Sequence, residues 1–331
     1  MIWYKAKGKD CDVVISSRIR FARNIEGYPM GGKLTDEKAE EIITAVSGAM
    51  GERYKTISYS NLSPLEAQSY AEGHYVSPDF AAAKNKRALI LGEADNISLM
   101  VLEEDHLRIQ CIEPGFALEE AFTKAVAVDD RIDGAVKYAY DETLGYLTHC
   151  PTNLGTGMRA SVMLFLPALT MNRQISRISA QMSKMGITIR GMYGEGSEAV
   201  GCLYQISNQI TLGVSEEDII KKITEIVRQT VELERSARNS IYSDNTDLLT
   251  DRILRSYGVM KYAHMITSEE FMKLWADVRL GVALGIISEE DMSYDQLGEL
   301  SVAVMPATLS LTSGAQDERS RDIARAERAR A

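Results

Sequence analysis

Apolar positions recur along this chain at two different periods. In Ile97/Leu99/Val101 and in Leu107/Ile109/Cys111 they alternate with polar ones, the period-two signature of a strand with one buried face. Residues 87–91, 96–102 and 106–112 therefore read as three successive strands, and links this short require them to be antiparallel. Residues 12–16 read as a further short strand leading into the basic positions Arg18, Arg20 and Arg23. Helical spacing appears over 35–47, with Asp36 and Glu37 in the first turn, where acids complement the helix dipole. Ser63-Pro64-Leu65-Glu66 is a capping box with proline at the first helical position. Then come a long helix over 116–135, a hairpin turning at 141–143 and a helix over 172–185. Strands at 187–192 and 200–212 follow, around a Gly-rich loop, and a helix opens at Ser215 and runs to about Asn239. Met163, Met171, Met182 and Met185 read as core filler. Past residue 243 the strand signal fades, and Thr267–Glu270 and Ser288–Asp291 look like helix starts. The expected fold is α+β: an antiparallel sheet flanked by helices over residues 1–242, then a small all-helical domain over 243–331.

Composition narrows the function more than the fold. The 331 residues suffice for two domains at about 150 residues each. A net charge of -10 speaks against a general binder of nucleic acid. The four cysteines, Cys11, Cys111, Cys150 and Cys202, form no CxxC pair and no zinc spacing, so a reducing cytoplasm is expected. Residues 1–10 lack the apolar run of a signal peptide, and the longest apolar stretch, 160–171, is too short and interrupted to span a bilayer. Against this acidity, 22 of the 37 basic residues are arginines, the better fork for phosphates and carboxylates.

Gly155-Thr-Gly-Met-Arg-Ala160 fits the G-x-G-x-x-A dinucleotide pattern. That fingerprint needs a parallel βαβ unit and an acid about 20 residues on, and neither is present here. Cys150, at the mouth of the same loop, would by default be a small buried hydrophobe; the hydroxyl of Thr152 and nearby backbone amides would instead favour its thiolate. His149 beside it is no dyad partner, since neighbours on an extended segment point apart.

Cys150-Pro-Thr-Asn-Leu-Gly-Thr-Gly-Met-Arg159 resembles the signature of the ATP:guanido phosphotransferases, the phosphagen kinases. Three more blocks agree in order: Ser16-Ser-Arg-Ile-Arg-Phe-Ala-Arg-Asn24, Glu103-Glu-Asp-His-Leu-Arg108 and Arg190-Gly-Met-Tyr-Gly-Glu-Gly196. Alone, any one of these arginines would read as a solvated side chain, and Glu103–Asp105 as a polar turn. The resemblance implies a site for ATP built from Ser17, Arg18, Arg20, His106, Arg108, Arg159 and Arg190, with Mg²⁺ carried on the nucleotide phosphates and waters and no dedicated metal cage. It implies Glu104 as principal base, Glu195 as second clamp on the acceptor guanidinium, and Cys150 as a thiolate beside it; Glu103 and Asp105 would stand near the metal waters. His106 reads equally well as a strand-start histidine with its hydrogen bonds satisfied.

The first motif begins at Ser16, leaving no room for the helical N-terminal domain that closes over a small guanidine in this family, and a helical C-terminal domain is added. The combination resembles the branch that phosphorylates arginine side chains in proteins. The tail Arg321-Asp-Ile-Ala-Arg-Ala326 matches its RDxxRA pattern and implies an allosteric phosphoarginine pocket, with Asp322 on the guanidinium and Arg321 and Arg325 on the phosphate; composition alone would give a charged helix. The implied partners are proteins with exposed arginines, a heat-shock transcriptional repressor, a zinc-binding activator protein, a Clp-type unfoldase–protease and a second copy of the chain, as a homodimer or higher oligomer, but neither nucleic acid nor membrane. Two alternatives remain: a kinase for free arginine or another small guanidine, and a non-catalytic phosphoarginine-binding adaptor.

Overall fold

The structure is a computed structural model that describes residues 2–30, 33–92, 96–192 and 199–330. Its frame is an antiparallel sheet of eight strands: β1 (Val14–Arg23), β2 (Lys55–Ser58), β3 (Ala88–Gly92), β4 (Ile97–Val101), β5 (Leu107–Pro114), β8 (Met158–Phe165), β9 (Ile187–Gly191) and β10 (Leu203–Asn208). They lie in the order β2-β3-β4-β5-β1-β8-β10-β9; β6 (Tyr140–Asp141) and β7 (Gly145–Tyr146) form a separate hairpin. The three successive strands expected are β3, β4 and β5, antiparallel as read.

β1 runs further than the short strand expected at 12–16 and carries the arginines within it. Its central place in the sheet explains this, because β5 and β8 both hydrogen-bond along it. Ile19 and Phe21 point to one face together with Ile109, Cys111, Leu99 and Val162, and all six are buried. That face is closed by α1 (Asp36–Met50), α4 (Leu118–Asp133), α6 (Ile175–Ser183) and α7 (Glu216–Asp244), which supply the rest of the main apolar core. The opposite face is apolar only at its two ends. On one side Leu89, Leu91 and Met100 pack under α2 (Pro64–Glu72) and α3 (Pro78–Ala82). On the other, Phe165 and Leu203 pack under the C-terminal helices, where the Phe165 ring meets Trp275 edge-on at 5.8 Å. Between these flanks lies a strip of polar and basic side chains.

Several boundaries shift for local reasons. The helix expected at 172–185 is trimmed to α6, and a short α5 (Pro167–Met171) precedes it, the two separated at Arg173, whose φ of 55° is not helical. The strand expected at 200–212 is shortened to β10. Met182 is buried as expected, but Met185, just past α6, is exposed. The C-terminal part is all helical: α8 (Thr246–Tyr262), α9 (Ser268–Ala283), α10 (Tyr294–Ala303), α11 (Pro306–Ser313) and α12 (Glu318–Arg330). Thr267 caps α9 as read. Ser288 does not start a helix: its hydroxyl pairs with Asp291 in an isolated turn, and α10 begins five residues later at the Ser293–Gln296 capping box.

The helical part is clasped to the sheet part at two places. Trp3 and its neighbours cross over to it, with Lys5 on Glu299 and Lys7 on Glu289. The buried carboxylate of Glu72, at the end of α2, accepts hydrogen bonds from the amides of Ala307 and Thr308 (2.8 and 2.7 Å) and from the Thr308 hydroxyl, capping α11 from outside its own segment. Among the described residues no helix is long and apolar enough to cross a membrane.

Candidate functional site

The strip between the flanks is built by register. Arg20 stands opposite Arg159 on β8, and Arg18 opposite Ser161. On the other side of β1, Ala22 faces Arg108 and Arg20 faces Gln110. Directly opposed residues share a face and lie about 5 Å apart, so Arg18, Arg20, Arg108 and Arg159 form one guanidinium cluster. Arg190, opposite Gln205 on the edge strand β9, extends it and remains exposed. Like charges opposed across strands destabilise a sheet, and no carboxylate among the described residues lies within ion-pair distance of Arg18, Arg20, Arg159 or Arg190. Burial, then repulsion from Arg159 and Arg108, pushes the Arg18 guanidinium down to about 10. Burial followed by its three arginine neighbours lowers Arg20 well below the usual range, and burial, Arg190 and Arg108 lower Arg159. A cluster so disfavoured in its own fold is stabilised by an anion of several charges, as a triphosphate is.

Neutral side chains aim these forks. Ser161 accepts from Arg18 Nε at 3.3 Å and from Gln205 Nε2 at 2.9 Å; Ser207 accepts from Arg159 Nη2 at 3.0 Å. Arg159 Nε is buried with no partner. His74 closes the strip from the end of α2, and burial together with Arg18 holds its imidazole neutral, down to about 4. None of Ser161, Ser207, Gln205 or His74 was singled out in the sequence, although the polar alternation in β8 and β10 could have marked the first three.

The acidic block divides its labour. Glu103 pairs with Arg108 (Oε1 to Nη1, 2.7 Å) and accepts from the Ser77 hydroxyl, so it positions an arginine and leaves Oε2 buried without a partner. Glu104 is 41% exposed, with Oε2 3.8 Å from Arg108 Nη2, the freest carboxylate of the three. Asp105 is buried: its Oδ1 accepts from Asn24 Nδ2 (2.7 Å) and from the amide of His149 (2.6 Å), fixing the approach to Cys150. Glu103 and Asp105 were expected near metal waters; in the structure both hold other groups in place. Cys150 is half-buried before a short helical turn, its Sγ 3.0 Å from the Thr152 hydroxyl, as read. Glu195 lies outside the described residues.

Three expectations need correction. Ser17 is odd-numbered on β1 and so points away from the strip; its hydroxyl donates to the Gly115 carbonyl and accepts from the Ala117 amide, pinning the start of α4. His106 is buried with both ring nitrogens engaged: Nδ1 accepts from the Ile25 amide and Nε2 donates to the Pro29 carbonyl, which leaves none for a nucleotide. Burial lowers its affinity for a second proton, consistent with that neutral tautomer. In the tail, Asp322 and Arg325 are buried and satisfy each other (2.6 Å), and Arg325 also donates to the carbonyls of Ile266 and Val304. Neither is open to an incoming phosphoarginine here; Arg321 alone is half-exposed.

The strip can hold a polyphosphate under four fixed guanidiniums, with a reachable carboxylate and a thiol at its rim. Such a donor set suits phosphoryl transfer, in which positioning and charge neutralisation carry most of the catalysis. Among the described residues no group of three His, Cys, Asp or Glu side chains is placed to hold a metal ion.

Comparison with known proteins agrees. A family model described as ATP:guanido phosphotransferase, C-terminal catalytic domain, matches residues 37–237, and one described as Protein-arginine kinase McsB C-terminal domain matches 246–331. The first begins after β1, but full-length relatives include it. A protein-arginine kinase of Pelotomaculum thermopropionicum is 44% identical over 98% of this chain and 93% of its own length. Another, from Bacillus subtilis (strain 168), is 46% identical over 98% and 91%. Among solved structures, a lombricine kinase matches with a TM-score of 0.60 and 25% identity, covering 71% of this chain and 69% of that one.

Proposed function

As the chain belongs to the ATP:guanido phosphotransferases, and within them to the protein-arginine kinases, we propose that it moves the γ-phosphoryl group of ATP onto arginine side chains displayed by other proteins. What carries this reading is the shared face of Arg18, Arg20, Arg108 and Arg159, a polycationic strip in which only Arg108 has a carboxylate partner among the described residues. These four hold the phosphate chain and neutralise charge spreading onto the transferred group. Ser161, Ser207 and Glu103 keep the forks aimed, so little reorganisation is needed during transfer. Mg²⁺ bound to the nucleotide would add charge neutralisation at the phosphates.

The acceptor is a guanidinium, protonated at any physiological pH and a poor nucleophile until it gives up a proton. Glu104 receives that proton as the N–P bond forms, and its exposure lets it pass the proton to water. The family resemblance makes Glu195 a second clamp on the acceptor and sets Cys150, its Sγ 3.0 Å from the Thr152 hydroxyl, beside it. The biological reading is a degradation mark in the cytoplasmic stress response, read by a Clp-type unfoldase–protease and applied to targets such as a heat-shock repressor under control of a zinc-binding activator.

The test is labelling of a casein-like protein with ATP, followed by mass spectrometry under acid-free conditions. Phosphate should appear on arginine and be lost in acid, as an N–P bond is, while free arginine is labelled poorly. Glu104→Gln should lower turnover by about 10²–10⁴-fold. A wild type without turnover would leave the adaptor reading standing, and saturable labelling of free arginine would favour a small-guanidine kinase.

A further inference from the structure

Between the sheet and the C-terminal helices, away from the acidic block, lies a cavity that the proposed reaction does not use. Its walls come from the N-terminal segment (Trp3, Cys11), the sheet (Met163, Leu203) and the C-terminal helices (Trp275, Tyr294). At its floor is Arg279 of α9, 3% exposed. The guanidinium is stacked among three rings, 5.0 Å from Tyr294, 5.3 Å from Trp275 and 5.6 Å from Phe165. One Nη donates to the Cys11 carbonyl, while Nε is buried with no hydrogen-bond partner.

A buried arginine is ordinarily paired with a carboxylate. The nearby acids are committed elsewhere: Asp12 to Arg235 and Arg238, and Glu289 to Lys7 at the rim. No carboxylate among the described residues forms an ion pair with Arg279. The rings compensate the faces of the guanidinium, while the buried Nε has no acceptor among the described residues. An apolar chamber with one unpaired fork in its floor is the composition of a site for an amphipathic acid.

We propose that this cavity binds a small organic carboxylate with an apolar body, its carboxyl group on Arg279 and its body among Trp3, Trp275 and Tyr294. The occupant touches the N-terminal segment, the sheet and α9–α10 together, so its binding stiffens the docking of the helical part on the catalytic sheet. The cavity shares Trp3, His74 and Met163 with the space beside Arg18.

The chain's two tryptophans, Trp3 and Trp275, both line the cavity, so intrinsic fluorescence reports its occupancy. Hexanoate titrated into the full chain should change that fluorescence saturably and bind at least tenfold more tightly than hexan-1-ol. Arg279→Met should remove the preference. Ser301→Leu, which fills the cavity from α10 and leaves Arg279 in place, should weaken hexanoate tenfold without altering ATP turnover. Saturating ADP should leave the titration unchanged. The proposal is overturned if hexanoate gives no saturable change, if hexanol binds equally well, if Ser301→Leu binds like wild type, or if ADP displaces the acid, which would locate it on the phosphate strip.

Discussion

Arg20 and Arg23 lie three residues apart on one strand and hold the same group in opposite surroundings. Arg20 faces three other guanidiniums and no ion-paired carboxylate among the described residues. Arg23, on the other face and 1% exposed, is chelated by both oxygens of Asp129 (2.7–3.1 Å), approached by Glu216 at 3.9 Å and stacked 3.5 Å from the Tyr146 ring centre. One site has four cations, of which only Arg108 is paired with an acid among the described residues; the other has one cation and two acids. A guanidinium supplied with partners completes a fold, whereas one deprived of them is kept for a ligand.

The contrast can be broken at three strengths. Arg20→Met should lower kcat/KM by about 10³-fold or more, as for other arginines that neutralise a transferred phosphoryl group, while the urea midpoint holds or rises because repulsion is relieved. Activity within tenfold of wild type would remove Arg20 from the clamp. Arg23→Met should do the reverse, costing about 3–5 kcal/mol of stability by leaving Asp129 uncompensated, with turnover per folded molecule preserved. Equal loss of turnover in the two variants would erase the distinction between the faces.

The mildest test concerns Glu216, which burial pushes up to about 7 against the opposing pull of Arg23. Below pH 4.5 the carboxyl is protonated folded and unfolded alike. Between 4.5 and 7 the unfolded chain ionises it while the folded chain keeps the proton, so its contribution falls as pH rises and is fully unfavourable above 7. Glu216→Gln should therefore gain urea stability over wild type progressively from pH 4.5 to 7. A constant offset across that range would show that Glu216 does not titrate there.

The same strand shows how far a sequence can be read. Alternation disclosed β4 and β5, and the arginine motif disclosed Arg18 and Arg20, because each depends on spacing along one segment. Ser17 was misread because the strand was expected to end at residue 16; once β1 runs to Arg23, alternation with Arg18 and Arg20 turns Ser17 to the other face. The nucleotide reading of His106 failed while its hydrogen-bonded reading held, and Arg325 was misread, because their partners lie far away in sequence, as Ile25 is from His106 and Ile266 is from Arg325. Motifs name the residues that matter, but which of them touch ligand and which only hold their neighbours is decided by contacts that no local pattern contains.

The Glu72 clasp bears on the ancestry of the molecule. Its carboxylate is donated by the sheet part and its hydrogen-bond donors by the tail, so each part holds half of one helix cap. A tail acquired from elsewhere would have to bring two amides and a hydroxyl to the same point, and a lineage that lost the tail would inherit a buried acid with nothing to bind. Such a joint resists exchange of either part alone.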